Sequence, residues 1–397
     1  MTVGWLLAAC VFVPLVAGAA AQLAGSCPRW MSLTGGFLAF AAALGITGAS
    51  FFRTDHPIAI KLAVGDWAPQ IDLASPSLTL ALPAGWGVAP SLLAATALLL
   101  LASTLDARHW FIHISHGAAQ GALASTKPEL GLAFVSMATG AACIDLVAGD
   151  AAESPRRMTI AVRWTLADLV LWTWVLGGLG VGQASTWVVV AALAVRTGVF
   201  PFQGALVAAN RASPSPASLL APITPAIWAY HWLDRGMIGD EVALGWLIAA
   251  ATLLPALLMT VGSDDASRRA YGLASVLVWP AAAIPAMGTG WSMAGLGAAA
   301  VFANPIRTWG RIAASFAVLA PPLAVAATAS APVSPASLVA WSAVSLAAAL
   351  LAAAGLRKDS ISPERTGGAL ESSMEAALVI LSLIPFATLL LCWRGRP

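Results

Sequence analysis

The chain alternates between long apolar stretches and short polar breaks along its whole length. Fourteen apolar stretches can be counted, at residues 3–24, 31–52, 88–105, 111–126, 130–149, 159–181, 184–200, 216–232, 242–262, 271–288, 291–304, 311–328, 335–355 and 374–393. Most of them approach the roughly 20 residues that an α-helix needs to cross the hydrocarbon core of a bilayer. We therefore predict an all-α integral membrane protein, a single transmembrane domain over residues 1–397 with about 14 transmembrane helices.

One break is much longer than the others and has a different pattern. Residues 53–87 alternate apolar and polar positions and are punctuated by proline and glycine. Such alternation between turn residues is typical of a β-hairpin. We predict a small hairpin-like loop on the outer, extracytoplasmic face.

Arginines are distributed unevenly between alternate breaks. The adjacent pairs Arg156–Arg157 and Arg268–Arg269 both fall on the same predicted side of the membrane. Basic residues concentrate in cytoplasmic loops. The pattern therefore places both chain ends outside, in a multi-pass protein of a bacterial-type cytoplasmic (inner) membrane.

Composition agrees with a membrane protein and excludes several other classes. Hydrophobic residues make up 59% of the chain and charged residues 10%, whereas a soluble domain carries about 25% charged residues. The net charge is +2, and no basic run with interleaved aromatic residues suggests nucleic-acid binding. The four cysteines show no CxxC pair or metal-ligand spacing. We predict neither a metal nor a cofactor.

Four segments together resemble one protein family. They are RTGVFPFQGALVAANRASPSPASLLAP (196–222), DDASRRAYGLASVLVW (264–279), APPLAVAAT (320–328) and RRMTIAVRWTLADL (156–169). In this order they are similar to signature segments of the antiporter-like, ion-translocating subunits of respiratory complex I and the multisubunit cation/proton antiporters. The resemblance implies that the seventh and twelfth helices are broken, at Pro201 and at Pro321–Pro322. It also implies other membrane or peripheral subunits of a complex as partners.

The chain differs from that family at the positions of the family's proton-carrying side chains. The resemblance puts Arg196 at the position of the family's lysine in the seventh helix and Gln203 at that of a histidine, while Tyr271 keeps its match. The three lysines of the chain, Lys61, Lys127 and Lys358, all fall in predicted loops. A buried lysine can lose its proton, but an arginine keeps its charge. Reduced or lost pumping is therefore expected.

Two charges are interpreted as buried, Asp168 near the middle of the predicted sixth helix and Arg196 well inside the seventh. A lone charge at the bilayer centre costs about 2.5–3.5 kcal/mol on the insertion scale, so two facing opposite charges would offset much of this. They could line a residual ion path or form a static ion pair that fixes helix packing. We favour the static pair because arginine does not cycle protons.

Other polar residues are weaker candidates. Asp145, near the inner end of the fifth helix, could mark the mouth of a half-channel, but a solvated helix end is favoured. The three histidines His109, His113 and His116 fall at helical spacing and could form a metal-binding face. No acidic or cysteine ligand accompanies them, so we interpret them as interfacial.

These observations predict a divergent antiporter-like membrane subunit of an ion-translocating complex, related to NADH-quinone oxidoreductases and cation/proton antiporters and without redox chemistry of its own. Two alternatives stay open. One is a membrane anchor or energy-coupling subunit of an inorganic-carbon uptake complex, a role that one branch of the family serves. The other is a scaffold that transports nothing. A stand-alone secondary transporter is disfavoured, because no buried polar cluster for a solute is evident.

Overall fold

The computed structural model describes most of the first 278 residues and a few later positions. Described are residues 3–23, 29–52, 58–63, 77–82, 87, 89–103, 109–147, 154–176, 183–199, 202–212, 221–233, 241–261, 265–278, 342–343, 346–347 and 350. The segments predicted after residue 290, including the break at Pro321 and Pro322, lie outside the described residues apart from those isolated positions. Pro201 also lies outside them.

The described part is built from helices and one pair of strands. The helices are α1 (Val3–Leu23), α2 (Arg29–Phe52), α3 (Ala89–Ser103), α4 (His109–Ala124), α5 (Pro128–Val147), α6 (Ser154–Leu176), α7 (Gln183–Thr197), α8 (Gln203–Ala212), α9 (Ile223–Leu233), α10 (Glu241–Val261) and α11 (Asp265–Val276). The strands are β1 (Ile58–Ala63) and β2 (Ser77–Leu82). Within the described ranges, four helical spans are long and apolar enough to cross a membrane: Val3–Leu23, Trp30–Ser50, Pro128–Val147 and Arg157–Leu176. These spans support a multi-pass membrane protein.

The apolar pattern located most of these helices to within a few residues, but it missed α8. This helix has ten residues and was predicted as part of a break. Leu206 and Val207 are buried while Gly204 is exposed. Because α8 is short and contains the polar residues Gln203, Asn210 and Arg211, a search for long continuous apolar stretches passes over it.

The predicted hairpin is confirmed as a small antiparallel sheet. β1 and β2 pair from Ile58 opposite Leu82 to Ala63 opposite Ser77. Leu80 and Leu82 are buried, and Leu80 also bridges to Ser125, in the turn between α4 and α5. The alternation of the strand therefore places one face of the hairpin against the helical bundle.

Helix α4 lies at the centre of the described bundle. Fourteen of its 16 residues are buried, and it packs against α1, α3, α5 and α9. Small residues allow this close approach, since a Cβ at Gly117 would lie 2.6 Å from Leu15, and one at Gly121 2.5 Å from Phe134. The polar side chains of α4 are consequently enclosed by other helices.

Helices nearer the periphery expose large apolar side chains. On α6, Val162, Leu166 and Leu169 are all exposed and recur at helical spacing. A water-facing surface rarely carries such a continuous apolar stripe, whereas lipid requires one. The opposite face of α6 packs against α5 and α7 and carries the charged residue Asp168.

Candidate functional site

The two predicted buried charges meet where α5, α6 and α7 pack together. Asp168 lies in the middle of α6 and Arg196 in the last turn of α7. Their side chains are 7% and 0% exposed, respectively, and Arg196 Nε lies 3.2 Å from Asp168 Oδ1. Because both side chains are enclosed by the protein, this is a buried ion pair.

Thr139 of α5 joins the two charges. Its hydroxyl donates a hydrogen bond to Asp168 Oδ2. It accepts hydrogen bonds from Arg196 Nε at 2.9 Å and Nη2 at 2.7 Å. The Val135 carbonyl, 2.9 Å away, is an alternative acceptor for the same hydroxyl proton. Three helices are thus tied together through one side chain.

An aromatic ring also contacts the Arg196 guanidinium. Arg196 Cζ lies 5.1 Å from the ring centre of Trp164, one turn before Asp168 on α6. A guanidinium over an aromatic face gains a cation–π attraction that strengthens when water is excluded. Arg196 Nη1 is buried without a hydrogen-bond partner, so the cation is held by its Nε and Nη2 groups and by the indole.

The end of α7 explains why an arginine is tolerated at this position. Gly198 has a φ of 66°, and the Val199 N–H donates to the Ala194 carbonyl at 3.1 Å, which closes the last turn of α7. The chain enters α8 at Gln203. A helix C-terminus carries partial negative charge, which favours a cation in the last turn. The helical path is therefore interrupted just after Arg196.

The chemistry available to this cluster follows from its residue types. The hydroxyl of Thr139 can rotate between two acceptors, but the guanidinium keeps its proton. The cluster therefore differs from a lysine site that loads and releases a proton. Its geometry is suited to holding α5, α6 and α7 in register.

The structure places the other candidates elsewhere. Asp145 is only 1% exposed, so the interpretation of a solvated helix end was wrong, since neighbouring helices cover this part of α5. Gln203 begins α8, and its Oε1 is buried without a partner. Tyr271 on α11 packs against the main apolar cluster of the bundle.

The histidines of α4 are buried rather than interfacial. His109, His113 and His116 are all enclosed, because α4 lies at the centre of the bundle. No group of three or more His, Cys, Asp or Glu residues that could hold a metal ion occurs within the described ranges.

Sequence analysis missed Thr139 and Trp164 as partners of the pair. Both lie on helices that were predicted correctly, and Thr139 is a hydroxyl within an otherwise apolar part of α5. Threonine satisfies its own hydroxyl within a helix so often that this signal alone is weak. Only the packing of α5 against α6 shows which polar groups it contacts.

Comparison with known proteins finds solved structures that are similar to this chain. No protein-family model and no curated protein sequence matches the chain. A chain in the membrane-bound sulfane sulfur reductase, an archaeal respiratory membrane complex, superposes with a TM-score of 0.69 at 13% identity, covering 99% of this chain and 95% of that one.

Two further structures are similar over nearly the whole chain. A chain of respiratory complex I from Thermus thermophilus gives a TM-score of 0.64 at 15% identity, covering 96% of this chain and 97% of that chain. A chain of the Mrp complex from a Dietzia species gives 0.59 at 17% identity, covering 98% of this chain and 80% of that chain. At these identities the likeness is one of fold, and it agrees with the resemblance to antiporter-like membrane subunits.

Proposed function

We propose that this chain is a divergent antiporter-like subunit of a multisubunit, ion-translocating complex of a bacterial-type inner membrane, with reduced or lost pumping at its Asp168–Arg196 site. The observation that carries the proposal is the likeness of fold over 96–99% of the chain to components of membrane complexes. The described helices agree with this architecture, since four of them are long and apolar enough to span a membrane.

Reduced pumping is supported by the buried pair. Where the family has a lysine, Arg196 is fully buried, 3.2 Å from Asp168, and bonded to Thr139. Proton loading at this position would need a group that becomes neutral and charged in turn, and arginine does not. In this proposal the pair positions helices and does not carry protons.

The same observation favours a second candidate, a membrane anchor or scaffold that transports nothing. An inorganic-carbon uptake complex and a respiratory complex are both compatible with such a subunit. The two candidates differ in whether the assembled complex moves ions when this chain is present.

The proposal is tested by isolating the full-length chain from its native membrane. We expect an affinity-tagged chain to migrate in mild detergent as part of a larger assembly, with other multi-pass subunits in stoichiometric amounts. An unrelated multi-pass protein with the same tag is the control. A chain recovered only alone, after both mild extraction and cross-linking in the membrane, would contradict the proposal.

Ion movement separates the two candidates. We expect vesicles containing the assembled complex to build or dissipate a pH gradient. The rate of that pH change should be different in vesicles from a strain that lacks this chain. If removing the chain abolishes assembly, complexes rebuilt with the Asp168→Asn variant provide the comparison. Loss of ion movement in that variant without loss of assembly would assign the pair to the ion path instead of to packing.

A further inference from the structure

An arginine on a membrane-crossing helix faces outwards. Arg163 lies within the apolar span Arg157–Leu176 of α6 and is exposed. At 100° per residue it points about 140° away from Asp168 around the helix axis, so it lies outside the buried pair. Within the described ranges no hydrogen bond or ion pair joins Arg163 to another residue. A charge that faces hydrocarbon without a counter-charge is costly, so we expect a counter-charge from outside the described chain.

The position of Arg163 along α6 brings its guanidinium close to one membrane surface. It follows Arg157, the first residue of the span, by about 9 Å along the helix axis. The pair Arg156–Arg157 predicts that this end of α6 is cytoplasmic. Side chains on a helix lean towards its N-terminus, and long basic side chains extend to the headgroup level. The Arg163 guanidinium is therefore directed towards the cytoplasmic headgroups.

A groove of about 430 Å³ adjoins Arg163 between α6 and α8. Its α8 wall is made of small residues, and a Cβ at Gly204 would meet nothing within 4 Å. The Thr159 hydroxyl donates to the Pro155 carbonyl at 2.9 Å, so its oxygen remains available as an acceptor. The side chains that line the groove are apolar apart from this hydroxyl and the guanidinium: Pro155, Thr159, Ile160, Arg163, Gly204, Ala205 and Ala208.

The dimensions of the groove limit what can enter it. From Pro155 to Arg163 its α6 wall rises about 12 Å, so the volume corresponds to a mean width of roughly 7 Å. An α-helix with its side chains is about 10–12 Å across, which is too wide to enter. A hydrocarbon chain or a glycerol phosphate is narrower, because carbon atoms in contact are only about 3.5–4.0 Å apart. The groove therefore fits part of a lipid better than a partner helix.

The face of α6 beside the groove is suited to acyl chains. Val162 and Leu166 flank Arg163 and are 48% and 54% exposed, and Leu169 continues this surface towards the bilayer centre. Helix–helix contacts inside membranes usually depend on small residues that allow close approach. This face carries large aliphatic side chains instead, which favours contact with lipid.

We propose that the groove between α6 and α8 binds an anionic phospholipid of the cytoplasmic leaflet, with the lipid phosphate on Arg163. A guanidinium binds phosphate oxygens through two parallel N–H donors, and the phosphate supplies the missing counter-charge. A glycerol headgroup, as in phosphatidylglycerol, has hydroxyls that donate to the Thr159 oxygen. One acyl chain extends along Val162 and Leu166. Anionic lipids make the cytoplasmic surface negative, so this ligand is present where the groove lies.

Native mass spectrometry of the full-length chain in detergent tests the charge. We expect phosphatidylglycerol to bind about five-fold or more tightly than phosphatidylcholine with the same acyl chains, because choline neutralises its own phosphate. Arg163→Gln should lower the affinity for phosphatidylglycerol to that for phosphatidylcholine, and Arg163→Lys should retain most of the preference. Lys127→Gln is the matched control, since it removes one exposed positive charge in the turn between α4 and α5 and should leave the affinity unchanged.

A variant that keeps the charge tests the groove itself. Gly204→Leu places a side chain in the open space beside Arg163 and should weaken phosphatidylglycerol binding about three-fold or more. Inorganic phosphate should not displace the lipid, because the groove also holds its glycerol and acyl parts. No preference for phosphatidylglycerol in the wild type, unchanged affinity in Arg163→Gln or Gly204→Leu, an equal loss in Lys127→Gln, or displacement by inorganic phosphate would each overturn the proposal.

Photo-cross-linking in native membranes distinguishes a lipid from a partner subunit at this face. A photoreactive residue introduced at Val162 should form an adduct with phospholipid, detected by mass spectrometry of the α6 peptide. An adduct with another protein subunit in place of lipid would overturn the proposal. None of these results bears on whether the chain assembles with other subunits, so the proposed function is tested separately.

Discussion

At the scale of single residues, the central feature is that Thr139 is hydrogen-bonded to both members of the buried pair. The Thr139 hydroxyl donates a hydrogen bond to Asp168, and its oxygen accepts a hydrogen bond from the Arg196 guanidinium. Removing one charge leaves the other buried without its partner. Removing both leaves Thr139 able to bond the Val135 carbonyl of its own helix, so the site then contains no charge in need of solvation.

Single and double substitutions should therefore behave very differently. We expect Asp168→Ala or Arg196→Met to destabilise the protein by about 3–5 kcal/mol, because each leaves an uncompensated buried charge. The double variant should recover much of the folded yield. Thermal unfolding in detergent and the monodisperse fraction on size exclusion measure both effects, with Thr173→Val on the exposed face of α6 as control. A double variant no better than the sum of the singles would show that the pair contributes more than mutual neutralisation.

At the scale of elements, the interruption between α7 and α8 depends on one glycine. Gly198 has positive φ, and a Cβ there would lie 2.7 Å from the Leu206 Cβ. A non-glycine residue in the left-handed region loses about 1–2 kcal/mol, and this contact adds steric strain. The turn after α7 therefore favours glycine at position 198, and it places Arg196 at a helix end.

A pair of glycine substitutions tests this turn. We expect Gly198→Ala to lower the unfolding temperature in detergent, because both the backbone and the Leu206 contact oppose a side chain. Gly204→Ala on α8 is the matched control, since a Cβ there would meet nothing within 4 Å. Alanine also favours the helix by up to about 1 kcal/mol over glycine, so this control should be neutral or stabilising. Equal unfolding temperatures for the two variants would contradict the role given to Gly198.

Elements also differ in how well sequence predicts them. The long helices were found because an apolar span of about 20 residues has few alternatives to crossing a membrane. The hairpin of β1 and β2 was found from its period of two. Helix α8 was missed because a stretch of ten residues that includes Gln203, Asn210 and Arg211 resembles a loop when continuous hydrophobicity is the criterion.

At the scale of the whole molecule, the distribution of arginines predicts how the chain lies in the membrane. Reporter domains can be fused after residues 157, 269 and 360, and each fusion site follows basic residues of the chain. All three fusions should report the cytoplasmic side, because basic loops are retained there. Fusion after residue 70, within the loop that contains the hairpin, is the control and should report the opposite side. A periplasmic signal at residue 157, 269 or 360 would contradict the predicted count of 14 helices.

The sequence by itself determined the class of the protein, the positions of most described helices, the hairpin and the two charges of the buried pair. Each of these depends on local composition or on a period along the chain, which requires no knowledge of neighbours. Tertiary structure decided that Thr139 joins Asp168 to Arg196, that Asp145 is covered, and that the α4 histidines face the interior. These depend on which helices pack together, because the spacing of the histidines along α4 does not show whether the helix lies at the surface of the bundle or at its centre.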